Sequence, residues 1–465
     1  MPGPDTSGAI PAPARRGRTA NAELAGRARA VLDRNRRGDW TCPSAAFYPH
    51  QWLWDSCFVA IGMAAADPQR AGSEIRALLR GQWANGMLPH MVFAPGVHDV
   101  GSNRIWQSRR HPDAPRDIDT SCITQPPLVA IATWHVAIAL PPDERVNFLG
   151  EVYPRLVDYH RWLYRERDLH GRGLVTLIHP WESGLDSTPP WMQELARMPV
   201  PWWVHVAVRL RLARVLRFLR RDTRLVPAAE RASDDDGLRM LVLIRRAKRY
   251  GFELRRIPPH RAPLIEDVAF NALLAAANES LGYIAGELGT LIDPELARSF
   301  TRTTAAMNEL WDDDAGQYFS RNATTGTAVD LCTVATFLPL WAGLASPAQA
   351  TRLVERLRAP SGFWPRFPVP SVPTDAPYYE PDRYWKGPTW VNMNWVIIEG
   401  LRRYRFHALA DELRDRTLDL VDEMGFAEYF SALTGTGFGA DDFSWTAALV
   451  LALATGEGAA PTARP

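Results

Sequence analysis

Two carboxyl groups stand in surroundings that suit opposite proton-transfer roles. Asp186 closes the stretch Trp181-Glu182-Ser183-Gly184-Leu185-Asp186, with His179-Pro180 before it and Pro189-Pro190-Trp191 after it. Indole and proline neighbours keep water from a carboxyl and favour its protonated form, as a general acid requires. The plainer alternative is that Asp186 caps the turn Ser187-Thr188-Pro189. Glu428 sits alone among aromatics in Gly425-Phe426-Ala427-Glu428-Tyr429-Phe430. As a carboxylate it suits a general base, and a structural ion pair is the alternative. An acid and a base of this kind are the equipment of glycoside hydrolysis. In the inverting form they stand roughly 6.5–9.5 Å apart, with a water between base and sugar.

The aromatic residues near other polar groups point the same way. The chain carries 18 Trp, many beside acids, amides and Pro/Gly turns, as in Trp52-Leu53-Trp54-Asp55 and Tyr384-Trp385-Lys386-Gly387-Pro388-Thr389-Trp390. An indole face stacks on the C–H face of a pyranose while neighbouring acids bind its hydroxyls. Asp55 with Trp52 and Trp54 reads as a sugar anchor, and a helix N-terminal Asp is the alternative reading. His90, at the end of Asn85-Gly86-Met87-Leu88-Pro89-His90, and Gln125, before Pro126-Pro127, are polar residues in similar loops. Trp390 and Asn394 are one helical turn apart and share a face. Asn394 could equally satisfy a buried backbone group. The glycines of Thr434-Gly435-Thr436-Gly437-Phe438-Gly439 lack the Lys and spacing of a phosphate loop, which excludes nucleotide binding there.

Helices must position these residues. Apolar residues recur at helical spacing over 22–36, 57–66, 71–83, 128–140, 152–166, 203–219, 238–250, 263–288, 294–310, 331–344, 348–357, 390–404, 408–424 and 445–454. Pro68 suits a first helical turn. Long loops rich in Pro, Gly and Trp interrupt the pattern at 84–126, 171–202 and 359–389, and loops of such length are commonly functional. Short strands could edge them. The expected fold is all-α, an (α/α)6 toroid whose long loops gather at one mouth. A stacked helical array is the alternative, though no repeat supports it. A single domain is expected over 21–455, between loose tails at 1–20 and 456–465.

Bulk properties remove other function classes. Net charge is +1 over 465 residues, with 46% hydrophobic and 23% charged residues, so no field gathers nucleic acid or anionic membrane. The basic stretch 209–224 reads as a solvated helix face. Four scattered Cys without a CxxC pair point to free thiols in a reducing cytoplasm rather than to zinc. The stretch 1–18 lacks the apolar region of a signal peptide, and neither a membrane span, a metal site nor a cofactor is expected. The expected partner is a small carbohydrate; oligomeric state is not legible.

Taken together, the segments resemble glycoside hydrolase family 63, and within it the bacterial mannosylglycerate and glucosylglycerate hydrolase branch. The likeness runs through Tyr48-Pro49-His50-Gln51-Trp52-Leu53-Trp54-Asp55-Ser56, Gly81-Gln82-Trp83-Ala84-Asn85-Gly86-Met87-Leu88-Pro89-His90, Thr124-Gln125-Pro126-Pro127, the Trp181–Asp186 and Tyr384–Asn392 segments, and Glu428-Tyr429-Phe430 through Phe443-Ser444-Trp445. The resemblance implies the toroid and an inverting α-glycosidase. Asp186 matches the family's acid and Glu428 its base. Trp52, Trp54 and Asp55 match positions that hold the glycosyl unit. Tyr48, Gln125, Trp181, Tyr384, Trp385 and Trp390 match other sugar-site positions, and His90 and Gly184 lie in the same motifs. Related glycosylglycerate hydrolases place an Arg followed by Tyr before the central helix to hold the glycerate carboxylate. Here Arg231 can fill the first position, but Gly237 stands at the second. The acids Asp234, Asp235 and Asp236 between them oppose an anionic leaving group, and Lys386 replaces a frequent Arg. The expected substrate is a small α-glucoside or α-mannoside, glycosylglycerate-like or a related oligosaccharide. The alternatives are an epimerase or isomerase using paired His (His90 and His179) and a carbohydrate-binding protein without catalysis. The presence of both Asp186 and Glu428 argues against the latter.

Overall fold

A helix that is apolar on every side is stable only when other helices surround it. Five stretches meet that description, and a sixth, Val391–Arg403, carries polar side chains but is buried from Val391 to Leu401. The six are Leu53–Met63, buried along its whole length, Val129–Ala139, Val268–Glu287, the 3-10 turn Val334–Phe337 running into Leu338–Trp341, Val391–Arg403 and Ser444–Thr455. The computed structural model describes residues 16–97, 103–202, 204 and 233–456. In it each of the six packs on the next in chain order, and the last packs on the first, which closes a ring. Between them run Arg18–Arg34, Pro68–Leu79, Pro142–Trp162, Pro294–Met307, Pro347–Leu357 and His407–Met424. Five of these lie against the ring, and Pro347–Leu357 packs on the strand Gln317–Tyr318. Pro347–Leu357 buries one face only, Ala350, Leu353 and Leu357, spaced by three and four. The result is the (α/α)6 toroid.

The connections decide where the site lies. Every inner-to-outer link is short (64–67, 140–141, 288–293, 342–346 and 404–406), whereas every outer-to-inner link is long (35–52, 80–128, 163–267, 308–333, 358–390 and 425–443). The six inner helices therefore run in one direction, and the long loops meet at their N-terminal end. Two-residue antiparallel pairings stiffen these loops: Gln51–Trp52 with Met91–Val92, Thr176–Leu177 with Ile265–Glu266, which pairs in turn with Arg321–Asn322, and Tyr429–Phe430 with Gly437–Phe438.

Several elements differ from their sequence expectation. The helix expected at 57–66 is Leu53–Met63, so Asp55 lies inside its first turn and Trp52 is the N-cap. The loop expected at 171–202 contains the helix Pro189–Arg197, entered through a proline pair that suits a first turn. The helix expected at 152–166 is the end of the longer Pro142–Trp162, whose internal Pro154 masks its first half, and a π turn follows at Leu163–Arg167. The helix expected at 203–219 and the basic stretch 209–224 lie outside the described residues, except for Val204.

Candidate active site

Glu428 lies at the start of the last long loop, 1% exposed. The Gly-rich stretch after it turns the chain back, so that Tyr429 pairs with Phe438 and Phe430 with Gly437. That hairpin brings Ala440 alongside. The Glu428 amide donates to the Ala440 carbonyl at 2.9 Å, and the Ala440 amide donates to Glu428 Oε2 at 2.9 Å. Gly439 adopts φ +76°, and a β-carbon there would strike the Glu428 carboxylate. The glycines thus let a backbone amide reach the carboxylate. From the opposite end of the chain, the Tyr48 hydroxyl donates to Glu428 Oε1 at 3.0 Å.

Asp55 shares this space. Its carboxyl is held well above the usual carboxylate range, by burial first and then by the charge of Glu428, with Asp186 and Glu74 adding and a backbone hydrogen bond opposing. Asp55, Glu428 and Asp186 therefore lie within electrostatic reach of one another, although they stand on separate stretches of chain. Asp186 is half-buried, on a turn closed by Thr188, whose amide and hydroxyl bond the Leu185 carbonyl at 3.1 and 3.0 Å. Just before it, Gly184 takes φ +71°, and a β-carbon would lie 2.6 Å from the Trp54 ring. The Asp186 turn rests on the indole that neighbours Asp55. The Trp54 amide donates to Gln125 Oε1 at 3.4 Å, which ties in the loop before the second inner helix.

A buried ion pair holds this arrangement from behind. Glu182 and Arg167 are 0% and 1% exposed. The guanidinium donates to both carboxylate oxygens at 3.1 and 2.7 Å, and the amides of Ile178 and Thr124 donate at 2.7 and 3.4 Å. One carboxylate thereby joins the Asp186 loop to the Gln125 loop. Such a pair is strongly destabilising to break, since either partner alone is a buried charge.

Aromatic rings line the rest. Trp385 stacks on Trp390 at 3.7 Å and 4°, Trp390 stacks on Tyr429 at 4.6 Å, and Tyr384 meets Trp390 edge-on at 5.2 Å. Trp385 and Trp390 are wholly buried, whereas Tyr384, Trp52, Tyr48 and Trp181 are only partly so. Trp54 approaches Trp385 at 6.1 Å. His90 packs edge-on to Trp52 at 5.2 Å and stacks near Trp181 at 6.2 Å. His179 also packs on Trp181, at 4.6 Å. Burial lowers His90 to about 3, with His179 contributing, and burial lowers His179 to about 3.

A family model described as the mannosylglycerate hydrolase MGH1-like glycoside hydrolase domain matches residues 48–446. The chain belongs to the mannosylglycerate hydrolase-like branch of glycoside hydrolase family 63. It is a glycoside hydrolase. A mannosylglycerate hydrolase of Thermus thermophilus is 39% identical over 90% of this chain and 98% of its own. A glucosylglycerate hydrolase of Mycolicibacterium hassiacum is 32% identical over 92% and 97%. The crystal structure of a GH63 mannosylglycerate hydrolase from Thermus thermophilus, in complex with Tris and D-glycerate, superposes with a TM-score of 0.83 at 36% identity, covering 92% of this chain and 99% of that one.

Within this branch of family 63, the structure brings Tyr48, Trp52, Trp54, Asp55, Gln125, Trp181, Gly184, Asp186, Tyr384, Trp385, Trp390 and Glu428 to the loop end of the toroid, with His90 packed beneath Trp52 and Trp181. Arg231 lies outside the described residues. Asn394 serves the backbone: it accepts from the Val369 amide at 2.9 Å and donates to the Pro368 carbonyl at 2.8 Å. The acidic run is partly neutralised, Asp236 facing Lys386 at 4.0 Å and Asp235 facing Arg239 at 3.5 Å. Sequence reasoning assigns no role to Glu182 or Tyr429. Glu182 stands inside a motif that it singles out, but its partner Arg167 belongs to a different element.

Proposed function

We propose that this hydrolase cleaves an α-mannoside or α-glucoside of glycerate with inversion, Asp186 acting as general acid and Glu428 as general base. The observation that carries the reading is the set of carboxyls around Asp55. Burial and the charges of Glu428, Asp186 and Glu74 hold Asp55 well above the usual carboxylate range, which favours its protonated form and suits it to donate a hydrogen bond to a sugar hydroxyl. Asp186, half-buried on an entrance loop, stands nearer the leaving group and gives its proton to the glycosidic oxygen. The Tyr48 hydroxyl and the Ala440 amide help to keep Glu428 in place. Glu428 takes a proton from the water that attacks the opposite face of the sugar. Glycerate is supported by the names of the relatives that match over nearly their whole length, and by the pairing of Asp235 and Asp236 with cations, which softens the repulsion of an anionic leaving group. A reducing compartment suits the four free thiols.

The epimerase reading loses its acid and base. The structure does gather His90 and His179 around Trp181. With both lowered to about 3 by burial, neither is an imidazolium at neutral pH, and each is a weak base.

The test is a panel of α-mannosides and α-glucosides with glycerate and with neutral glycerol as aglycone, the first-formed anomer being read by proton NMR. The β-anomer from a glyceric acid substrate is expected. The α-anomer as first product would overturn the inverting mechanism. Turnover of glycerol glycosides alone would overturn the glycerate assignment.

A further inference from the structure

Glu74 belongs to an outer helix, Pro68–Leu79, yet it is 2% exposed. It points inward, and besides Thr41, whose side chain and backbone amide bear on its carboxyl, its contacts go to Gln51 and Ser56. Ser56 Oγ donates to Glu74 Oε1 at 2.5 Å, and Gln51 Nε2 donates to the same oxygen at 3.3 Å, to the Glu74 carbonyl at 3.4 Å and to Ser56 Oγ at 3.1 Å. Gln51 and Ser56 are the residues immediately before and after Trp52-Leu53-Trp54-Asp55. One carboxylate thus brackets the whole turn from outside the ring. The groups facing it are Asp55 and Cys57 from the inner helix and Thr41 and Cys42 from the strand side. Among the described residues no Lys or Arg forms an ion pair with it. Burial, unrelieved by a cation, raises Glu74 to about 7. A buried acid without a cation is costly to keep for packing alone, because an apolar side chain of similar volume would fill the space at lower cost.

We propose that Glu74 is a positioning residue that sets the glycosyl-binding turn Trp52–Asp55 by clamping Gln51 and Ser56 from the outer layer of helices. The inference rests on the reading of that turn as the glycosyl site. The turn shifts when the clamp is released, because its strand Gln51–Trp52 is two residues long and pairs with Met91–Val92, and its further ties are single bonds, the Leu53 amide to the His90 carbonyl at 3.0 Å and the Trp54 amide to Gln125 at 3.4 Å. Glu428 stands on another loop with its own supports, and the Asp186 turn, though it touches Trp54 through Gly184, is also closed by Thr188 on the Leu185 carbonyl. The expected signature is therefore weaker ground-state binding with turnover largely kept.

The experiment compares Glu74→Leu, Glu74→Gln, Ser56→Ala and Ile75→Ala, the last removing a wholly buried side chain from the same helix without touching the clamp. KM and kcat are measured on the α-mannoside and α-glucoside of glycerate, with circular dichroism and melting temperature as folding controls. Glu74→Leu is expected to raise KM about tenfold or more, the loss of hydrogen bonds to a charged group. Ser56→Ala should raise it by a smaller factor. Glu74→Gln, which still accepts from Ser56 and Gln51, should stay within about threefold of wild type. Ile75→Ala should lower the melting temperature and leave KM alone. An unchanged KM in folded Glu74→Leu would overturn the proposal. So would an equal rise in KM from Ile75→Ala. Should Glu74→Leu fail to fold, an unchanged KM in Ser56→Ala overturns it instead. An unchanged KM in Asp55→Asn would overturn the prior reading of the turn itself, a different failure from the loss of the clamp.

Discussion

Replacing Glu428 by Gln isolates the proposed base from its setting. The amide has the shape of the carboxylate and keeps its supports. Its oxygen still accepts from the Ala440 amide, now 2.9 Å away. Its NH2 group can donate to the Tyr48 oxygen, reversing a 3.0 Å hydrogen bond in which the phenol is now the donor. Substrate binding should therefore hold, with KM within about threefold of wild type, since both contacts survive with a change of donor at one of them. What the amide does not do is accept a proton from water. General-base assistance is worth about 10²–10⁴ in rate, or about 2.7–5.5 kcal/mol of barrier. The assay is steady-state release of sugar from an α-glycoside of glycerate, with circular dichroism to establish the fold. A kcat fall of at least about a hundredfold at near-constant KM is expected. A folded Glu428→Gln enzyme with turnover within about tenfold of wild type would refute the assignment. A large rise in KM with kcat preserved would instead make Glu428 a binding group.

Other perturbations test the supports. Glu182→Gln strands the Arg167 guanidinium at 1% exposure and should lower stability by about 3–5 kcal/mol, read from denaturant midpoints; a loss under about 1 kcal/mol would show the pair is dispensable. Gly184→Ala places a β-carbon 2.6 Å from the Trp54 ring at φ +71°. The strained backbone and overpacking together should cost about 2–5 kcal/mol and raise KM, and a variant with unaltered melting and KM would contradict the close approach. Glu74 ionises at about 7 when folded, above its ordinary 4.5. The folded chain therefore binds that proton more tightly than the unfolded chain does, and stability from this group falls as pH rises from 4.5 to 7. Glu399, also raised to about 7, titrates in the same window in both proteins. The difference between wild type and Glu74→Gln isolates Glu74 and should reach about 3 kcal/mol across that range; parallel stability curves would count against the raised Glu74.

Much of the fold is legible because toroid helices sort themselves by pattern. Inner helices such as Ser444–Thr455 are apolar all round, and outer ones such as Pro347–Leu357 carry an apolar stripe and a capping box at Ser346 and Gln349. The start of Leu53–Met63 escapes the pattern because its N-cap is Trp52, which makes no side-chain cap. The helix Pro189–Arg197 reads as loop because its proline pair looks like a breaker as much as an initiator. The candidate carboxyls are visible as acids among indoles. Their supports are not, because each support is a contact between distant parts of the chain: Tyr48 with Glu428, Arg167 with Glu182, and Ser56 with Glu74. Local sequence carries no record of such pairs. The two histidines look like candidate acid–base groups by type, and only burial reveals them as neutral packing around Trp181.

The closing of the ring by Ser444–Thr455 against both Leu53–Met63 and Arg18–Arg34 has a consequence for how the protein is made. On a ribosome the early helices emerge long before the segment that seals them, and Tyr48 waits for a carboxylate 380 positions downstream. Until then the greasy flank of Leu53–Met63 stands open to solvent and to other nascent chains. Catalytic competence should therefore arrive only once the segment 444–455 has emerged, and a chain halted before 444 should be a client for chaperones rather than a slow enzyme.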